Sequence, residues 1–468
     1  MYPKQQTFLT LGLSRSGVSA TEFLRKRGAT VYIYDDLSSD GVEKNYEKLQ
    51  KLGAIRIQAE DLSKMYEKCD ALVLSPGIAV DHPVAVSFKR NKKAVIGETE
   101  IASRYMRCPI VAVTGTNGKT TTTSMIGKIL NDGGIRAELC GNIGTPMIEF
   151  ESLPETAFAV AEISSFQLET ITSLCPHIAV VLNIAEDHLN RHYNMENYIF
   201  LKSRLMKNSS ESEYAVLNYD DGIVRSFAER TKAQVKFFSL TERVNGAYYQ
   251  DGNLYYEDEK ILSASELLTD GLHNISNALA AITVAKILGL DNGVIAKSLA
   301  GFKGIKHRIE TVGEAYGVEY IDDSKATNVD AAIKGVGCMK KSTVLLLGGK
   351  DKGYEYDKLF TALRSSKVRI AVLYGENRFL LTESALRCGF KNFLVCPEFS
   401  FAVKMAKERA ESGEAVLLSP ASASFDEFSG YEERGDRFVE IVREFEKSSQ
   451  NAVSKQMEYN EQETDGEE

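Results

Sequence analysis

No apolar run in this sequence is long enough to span a bilayer, so no membrane insertion is expected. Cysteine is sparse. Seven residues are scattered along the chain without a CxxC pair, as for reduced thiols in a cytoplasmic protein. An excess of basic residues is missing too. The formal net charge is -9, and broad nucleic-acid affinity needs a basic surface, so no nucleic-acid partner is expected. The opening MYPKQQTFLTLGL runs into a strand-like segment without signal-peptide architecture, which again points to the cytoplasm. There is no internal repeat with a period of roughly 20–50 residues. The NKxD motif of guanine-nucleotide switches is also absent.

What is present is a soluble globular composition, 43% hydrophobic and 26% charged, over 468 residues. That length suits two or three domains. The most informative run is GTNGKTTT at 115–122, after the apolar run Pro109–Val113 and before the amphipathic stretch Thr122–Leu130. Strand, glycine turn and helix form the context of a phosphate loop. The N–H groups of Gly115, Thr116, Asn117 and Gly118 can approach a polyphosphate, and the helix N-terminus adds positive field. Lys119 would reach the terminal phosphates, the Thr120 hydroxyl could ligate Mg²⁺, and Thr121 follows them. The loop is a shortened GxxGKT, because Val113 stands where the full Walker pattern has glycine.

Three α/β segments and a tail emerge. In residues 1–97, strand Thr7–Leu13, the turn GLSRSG, helix Val18–Arg27 and strand Thr30–Tyr34 ending at Asp35 form a βαβ opening. Ser14 replaces the middle glycine of GxGxxG, which weakens an NAD reading against another nucleotide. A further strand, Ala71–Leu74, ends in SPGI. Residues 98–303 hold strand candidates Ile110–Val113, Ala157–Ile163, His177–Asn183 and Glu213–Asn218, apolar enough for a buried parallel sheet. Glu162 at the end of one strand and His188 after another are expected at the crevice that holds Lys119. A hairpin turning at QDGN and a helix Asn274–Leu288 follow. Residues 304–447 repeat the doubly wound pattern, with strands Val318–Asp322, Val344–Leu347, Ile370–Tyr374 and Ala415–Leu418, each ending in a polar or glycine-rich turn. Residues 448–468 are polar and acidic and are expected to be a disordered tail. On residues alone, a dehydrogenase, a nucleotide-switched binding protein and a folylpolyglutamate-type ligase stay open beside an amide ligase.

The motifs add up. SPGI at Ser75, TGTNGKTTT at Thr114, GNIG at Gly141, EISSFQLE at Glu162 and NIAEDHLNRH at Asn183 occur in order. Tyr198 with Lys202, HNISNALAA at His273, HRIE at His307, DDSKATN at Asp322 and SPASASFDEF at Ser419 follow. Together they resemble the Mur ligase family over essentially the whole chain apart from the tail, and SSFQLE, DSKATN and SPxxxSxD resemble its D-glutamate-adding branch. The resemblance implies three domains: a Rossmann-like N-terminal domain, a central P-loop ATPase-like domain and a C-terminal Rossmann-like domain.

It also implies a reaction. ATP would drive amide formation between UDP-N-acetylmuramoyl-L-alanine and D-glutamate through an acyl phosphate, in peptidoglycan precursor synthesis and cell-wall biogenesis. The enzyme is expected to be a cytoplasmic monomer. By resemblance, Thr120 and Glu162 hold a first Mg²⁺, His188 a second, and Lys202 is carbamylated to support it. Asn277, Arg308 and Asp323 would hold ATP, and Asn142 the muramoyl substrate. Lys325, Thr327, Lys352 and Ser424 would face the amino acid, with Tyr431 where the family pattern has Phe. Ser14, Arg15, Ser16 and Gly17, then Asp35, Asp36 and Gly77, would hold the UDP moiety, although Arg15 and Asp36 depart from the pattern at its uracil end.

Overall fold

A computed structural model describes residues 6–142, 144–269, 271–351 and 353–464, without the side chains of residues 40, 190 and 451–464. Its strands form three sheets, spanning residues 7–96, 110–263 and 310–418. The chain divides into two compact units. One joins Met1–Ile184 with Arg191–Phe302, and the other joins Ala185–Asn190 with Lys303–Glu468.

In the first sheet the order is Ile55–Arg56, Thr30–Tyr34, Thr7–Leu11, Ala71–Leu74, Ala94–Ile96, all parallel. The chain winds outward to one side of Thr7–Leu11 and then to the other. The GLSRSG and SPGI turns therefore leave neighbouring strand ends at the point where the order reverses, where open α/β sheets bind ligands.

The central sheet places Ile110–Thr114 between Phe158–Glu162 and Ile178–Val181. Its residues are buried on both faces, as a continuous apolar run requires. Register sets Val113 beside both Glu162 and Val180, so the phosphate turn, Glu162 and Asn183 come off one edge. Ala137–Gly141 lies outside Phe158–Glu162. On the other side Tyr214–Asn218, Gln234–Ser239 and Gly246–Gln250 continue in parallel. Asn253–Tyr256 then turns back through Asp251 and Gly252, both at positive φ, giving the expected QDGN hairpin.

The third sheet runs Glu310–Ala315, Val318–Asp322, Ala415–Leu418, Thr343–Gly348, Val368–Tyr374, Phe393–Val395. Only its first pair is antiparallel. Apolar residues fill both faces: Ala331, Leu345 and Phe360 on one, Val344, Phe399 and Phe438 on the other.

Packing groups the segments as follows. The first and second segments share one core, in which Ile96, Ile101 and Ala102 pack with Cys140 and Met147, so they group as one unit. The segment Ala185–Asn190 leaves the central segment and groups with the C-terminal unit. There Asp187 accepts hydrogen bonds from Asn328 Nδ2 at 3.2 Å and Tyr354 Oη at 2.7 Å.

The last helix runs from Tyr431 to Thr464, and Tyr316 N–H donates to Ser449 Oγ at 3.0 Å. The apolar stripe Phe438, Ile441, Val442, Phe445 ends before residue 448, but the Lys, Gln, Glu, Ala and Met that follow are good helix formers and carry the helix on.

Candidate functional site

Strand Ile110–Thr114 delivers Gly115, and Gly118 is the N-cap of helix Lys119–Asp132. Gly118 has a φ of 85°, and a Cβ there would sit 2.3 Å from Asn277 Oδ1, so only glycine fits. Asn277, on helix Leu272–Ile287, also accepts from Thr122 Oγ1 at 3.2 Å. The opposite side of the loop is held by Asn183. Its Oδ1 accepts from Asn117 N–H at 2.8 Å, its Nδ2 donates to Asn117 O at 3.0 Å, and its carbonyl accepts from Thr116 N–H at 2.9 Å. Asn183 was not among the predicted site residues; a side-chain amide at the end of a buried strand, opening NIAEDHLNRH, is the signal that marks it.

Two lysines converge on this loop. Lys119 Nζ donates to Gly115 O at 2.9 Å and Thr116 O at 2.8 Å. Lys202, on helix Met195–Ser203, donates to Gly115 O at 2.8 Å and Thr114 Oγ1 at 3.2 Å. It is 1% exposed, so it is no ordinary surface lysine of a helix. Tyr198, one turn earlier, meets Thr116 Oγ1 at 3.0 Å.

Glu162 ends the neighbouring strand and is buried, with both carboxylate oxygens engaged. Thr120 Oγ1 donates to Oε2 and Asn142 Nδ2 to Oε1, each at 2.8 Å. Asn142 gets this close because Gly141, at a φ of 93°, lets the chain pass where a Cβ would lie 2.3 Å from the Glu162 carbonyl. The hydroxyl and carboxylate oxygens of Thr120 and Glu162 are hard donors of the kind Mg²⁺ takes. Mg²⁺ commonly uses one or two carboxylates, waters and substrate phosphates rather than a full protein cage. Among the described residues no group of three or more His, Cys, Asp or Glu forms such a cage.

At the edge of the first sheet, Ser14 Oγ and Ser75 Oγ lie 2.6 Å apart and tie its two turns together. Ser16 and Gly17 lie in the first turn of helix Arg15–Lys26, and Arg15 donates to the Gly144 carbonyl. Asp35 acts as a staple: Oδ2 accepts from Leu13 N–H at 2.6 Å and Oδ1 from Leu37 N–H at 2.8 Å. Asp36 Oδ2 lies 3.2 Å from His82 Nε2. Gly77 is exposed, with nothing within 4 Å of its Cβ position.

The C-terminal unit carries the remaining candidates. His188, in Ala185–Asn190, has a φ of 55° and places Nε2 3.6 Å from Asp187 Oδ2. Asp323 is buried, and burial pushes its carboxyl up to about 7 against the pull of Arg308 and a 2.7 Å hydrogen bond from Ser419. Arg308 Nε and Ser424 Oγ are buried without a hydrogen-bond partner among the described residues, as for groups that meet a ligand. Lys325 Nζ donates to Tyr431 Oη at 2.7 Å and lies 4.3 Å from its ring centroid. Thr327 follows, half-buried. Lys352 lies outside the described residues.

Arg434 is fully buried beneath the turns of this unit. It donates to Ser324 Oγ and O at 3.0 and 2.9 Å, to Ser422 O at 3.0 Å and to Ala423 O at 3.2 Å. Nothing in the sequence separates it from other arginines on an amphipathic helix.

Comparison with known proteins places this arrangement. The description "Mur ligase MurD-like, N-terminal domain" matches residues 6–97, "Mur ligase middle domain" 113–285, and "Mur ligase, glutamate ligase domain" 307–422. The chain is 40% identical to UDP-N-acetylmuramoylalanine–D-glutamate ligase of Thermoanaerobacter sp. over 94% of its own length and 99% of the relative's. To the protein of that name from Clostridioides difficile it is 37% identical, over 94% and 98%. Its fold is similar to that of the UDP-N-acetylmuramate–alanine ligase of Thermotoga maritima, with a TM-score of 0.59 and 18% identity over 94% of this chain and 100% of that one. It is also similar to the MurF ligase of Thermotoga maritima in complex with ADP, with a TM-score of 0.59 and 18% identity over 96% of each chain. The three-sheet chain with its shortened phosphate loop belongs to the Mur ligase family.

Proposed function

We propose that the protein is an ATP-dependent ligase that joins UDP-N-acetylmuramoyl-L-alanine to D-glutamate in peptidoglycan precursor synthesis. The reading is carried by the Thr120–Glu162 oxygen pair at the phosphate loop of a chain 40% identical, over 99% of the relative's length, to a ligase of that name. In the reaction, a carboxylate oxygen of the substrate attacks the γ-phosphorus of ATP and the bond to ADP breaks. The D-glutamate amine then attacks the acyl carbon and loses a proton, and phosphate leaves.

The chain's own groups suit this sequence. The Gly115–Gly118 loop and the helix N-terminus receive the triphosphate, through N–H groups other than those of Thr116 and Asn117, which Asn183 holds. Lys119, now on the Gly115 and Thr116 carbonyls, exchanges them for phosphate oxygens. It then stabilises charge spreading from the γ-phosphate. Thr120 and Glu162 would hold a first Mg²⁺ and His188 a second, and the bound metal would supply positive charge against the anionic substrates. Asn142 fixes Glu162 and faces the muramoyl substrate. Asn277, Arg308 and Asp323 hold ATP.

The D-glutamate site is proposed at Lys325, Thr327, Ser424 and Tyr431, with Lys352. Tyr431 orients the Lys325 ammonium through its hydroxyl and ring. The first sheet takes the UDP moiety at Ser14, Arg15, Ser16, Gly17 and Gly77. Asp35 and Asp36 shape that edge. On Lys202 we propose a carbamate: CO₂ adds to the neutral amine, a C–N bond forms and a proton leaves, so a cation becomes an anion that would support a bound metal. The enzyme is proposed to act as a monomer in the cytoplasm. No described helix is long and apolar enough to cross a membrane.

The test uses purified protein with ATP, Mg²⁺ and UDP-N-acetylmuramoyl-L-alanine, adding each amino acid in turn. Phosphate release with D-glutamate and not L-glutamate, with a product of the expected mass, is the predicted result. Release with another amino acid, or without the UDP substrate, would overturn the reading.

A further inference from the structure

Arg191 is the ninth residue of the NIAEDHLNRH run. Its guanidinium binds three consecutive carbonyls of the SPGI turn. Nη2 donates to Pro76 O at 3.4 Å and Ile78 O at 2.8 Å, and Nη1 donates to Gly77 O at 3.2 Å. The charge is balanced by Glu169, which accepts from Nε at 3.2 Å and Nη2 at 2.6 Å. Both side chains are largely buried, 15% and 5% exposed, so the pair is not a loose surface contact. Two residues on, Tyr193 Oη donates to Asp81 on the same stretch.

Peptide planarity gives the contact its consequence. No peptide bond in the described chain is cis, so each N–H points opposite the carbonyl before it. With the Pro76 and Ile78 carbonyls drawn to Arg191, the Gly77 and Ala79 N–H groups face away from it. The Ile78 N–H closes the turn on Ser75 O at 2.9 Å. On the ligand edge Gly77 is exposed and has open space at its Cβ position. Behind it the turn is fixed against the first strand's loop, where a Cβ on Gly12 would lie 2.7 Å from Ile78 Cδ1.

We infer that Arg191 is a positioning residue for the UDP substrate: it gathers the Pro76–Ile78 carbonyls so that the turn presents N–H groups, the positive ends of its peptides, to the substrate diphosphate. Oriented backbone N–H groups of this kind bind anions. The inference rests on the proposed function in taking a UDP-linked substrate as the ligand of the first sheet. Lysine cannot replace the arginine, because a single ammonium does not span three carbonyls and a carboxylate in one plane.

The test compares wild type, Arg191→Lys and Tyr193→Phe, reading KM for UDP-N-acetylmuramoyl-L-alanine, KM for ATP and kcat, with calorimetric binding of the UDP substrate. Arg191→Lys should raise the KM and Kd for the UDP substrate about 10-fold or more, with KM for ATP changed less than about 2-fold. Tyr193→Phe should shift the same constants in the same direction by less. If Arg191→Lys does not fold, Glu169→Gln replaces it, keeping the volume while removing the balancing charge, and the same selective rise is expected. Equal rises for ATP and the UDP substrate, or no rise, overturn the inference. Wild type that binds no UDP substrate fails the functional reading itself, whereas tight wild-type binding matched by Arg191→Lys fails only the positioning role.

Discussion

Lys202 Nζ lies 2.8 Å from the carbonyl oxygen of Gly115, the first residue of the phosphate loop. The same carbonyl accepts from Lys119, so two lysines share one acceptor at the loop proposed to take a triphosphate. The shared carbonyl frames the roles proposed for the pair: Lys119 keeps its charge for the phosphates, and Lys202 becomes an anion.

Lys202→Arg keeps the charge and cannot form the carbamate, so it should lose most activity, as should Lys202→Ala. A small carboxylate added to Lys202→Ala should restore part of it by filling the vacated volume. Full turnover in Lys202→Arg, with an unchanged melting temperature, would contradict the carbamate.

Lys119→Ala should lower kcat by about 10²-fold or more and leave the fold intact, because the interaction grows with charge on the transferring phosphoryl group. Steady-state kinetics beside a thermal melt read both. Near-normal kcat would take the loop out of the chemistry.

Arg434→Lys should cost about 2–4 kcal/mol, since one ammonium cannot satisfy the Ser324, Ser422 and Ala423 carbonyls that the guanidinium holds. The melting temperature should fall by several degrees and KM for D-glutamate should rise, because the turns it gathers carry Lys325 and Ser424. An unaltered melt would show that these carbonyls find other partners.

Glu98 gives a pH signature. Burial pushes its carboxyl from the ordinary 4.5 up to about 7, against the opposing Ile148 N–H. Between those values the unfolded chain has released the proton that the native state keeps, so stability falls as pH rises through the window. Glu98→Gln keeps an acceptor for Ile148 and removes that loss. Its advantage over wild type should grow by up to roughly 3 kcal/mol between about pH 4.5 and pH 7. Denaturation curves at both ends of the window read this, and parallel pH profiles would contradict it.

The parts legible in the sequence were those that chemistry or burial writes locally. Ile110–Thr114 is apolar at nearly every position because both faces are covered, and Gly118 marks a backbone that only glycine adopts. Partnerships made across the fold were not legible. Asn183 locks Asn117 across 66 residues, and Arg434 reaches Ser324 across 110. Edge strands were missed for another reason: Glu310–Ala315, ETVGEA, pairs on one side only and needs no apolar run. In the last helix the apolar stripe to Phe445 is legible, while the run of backbone beyond it to Thr464 has no such stripe to mark it.

Activation of the substrate carboxylate by the γ-phosphate is the centre of this account. It is tested most directly with UDP-N-acetylmuramoyl-L-alanine carrying ¹⁸O in its carboxylate, supplied with ATP, Mg²⁺ and D-glutamate. The account predicts that each amide formed sends one ¹⁸O into the released inorganic phosphate, read by mass spectrometry. Amide formation with unlabelled phosphate would contradict it.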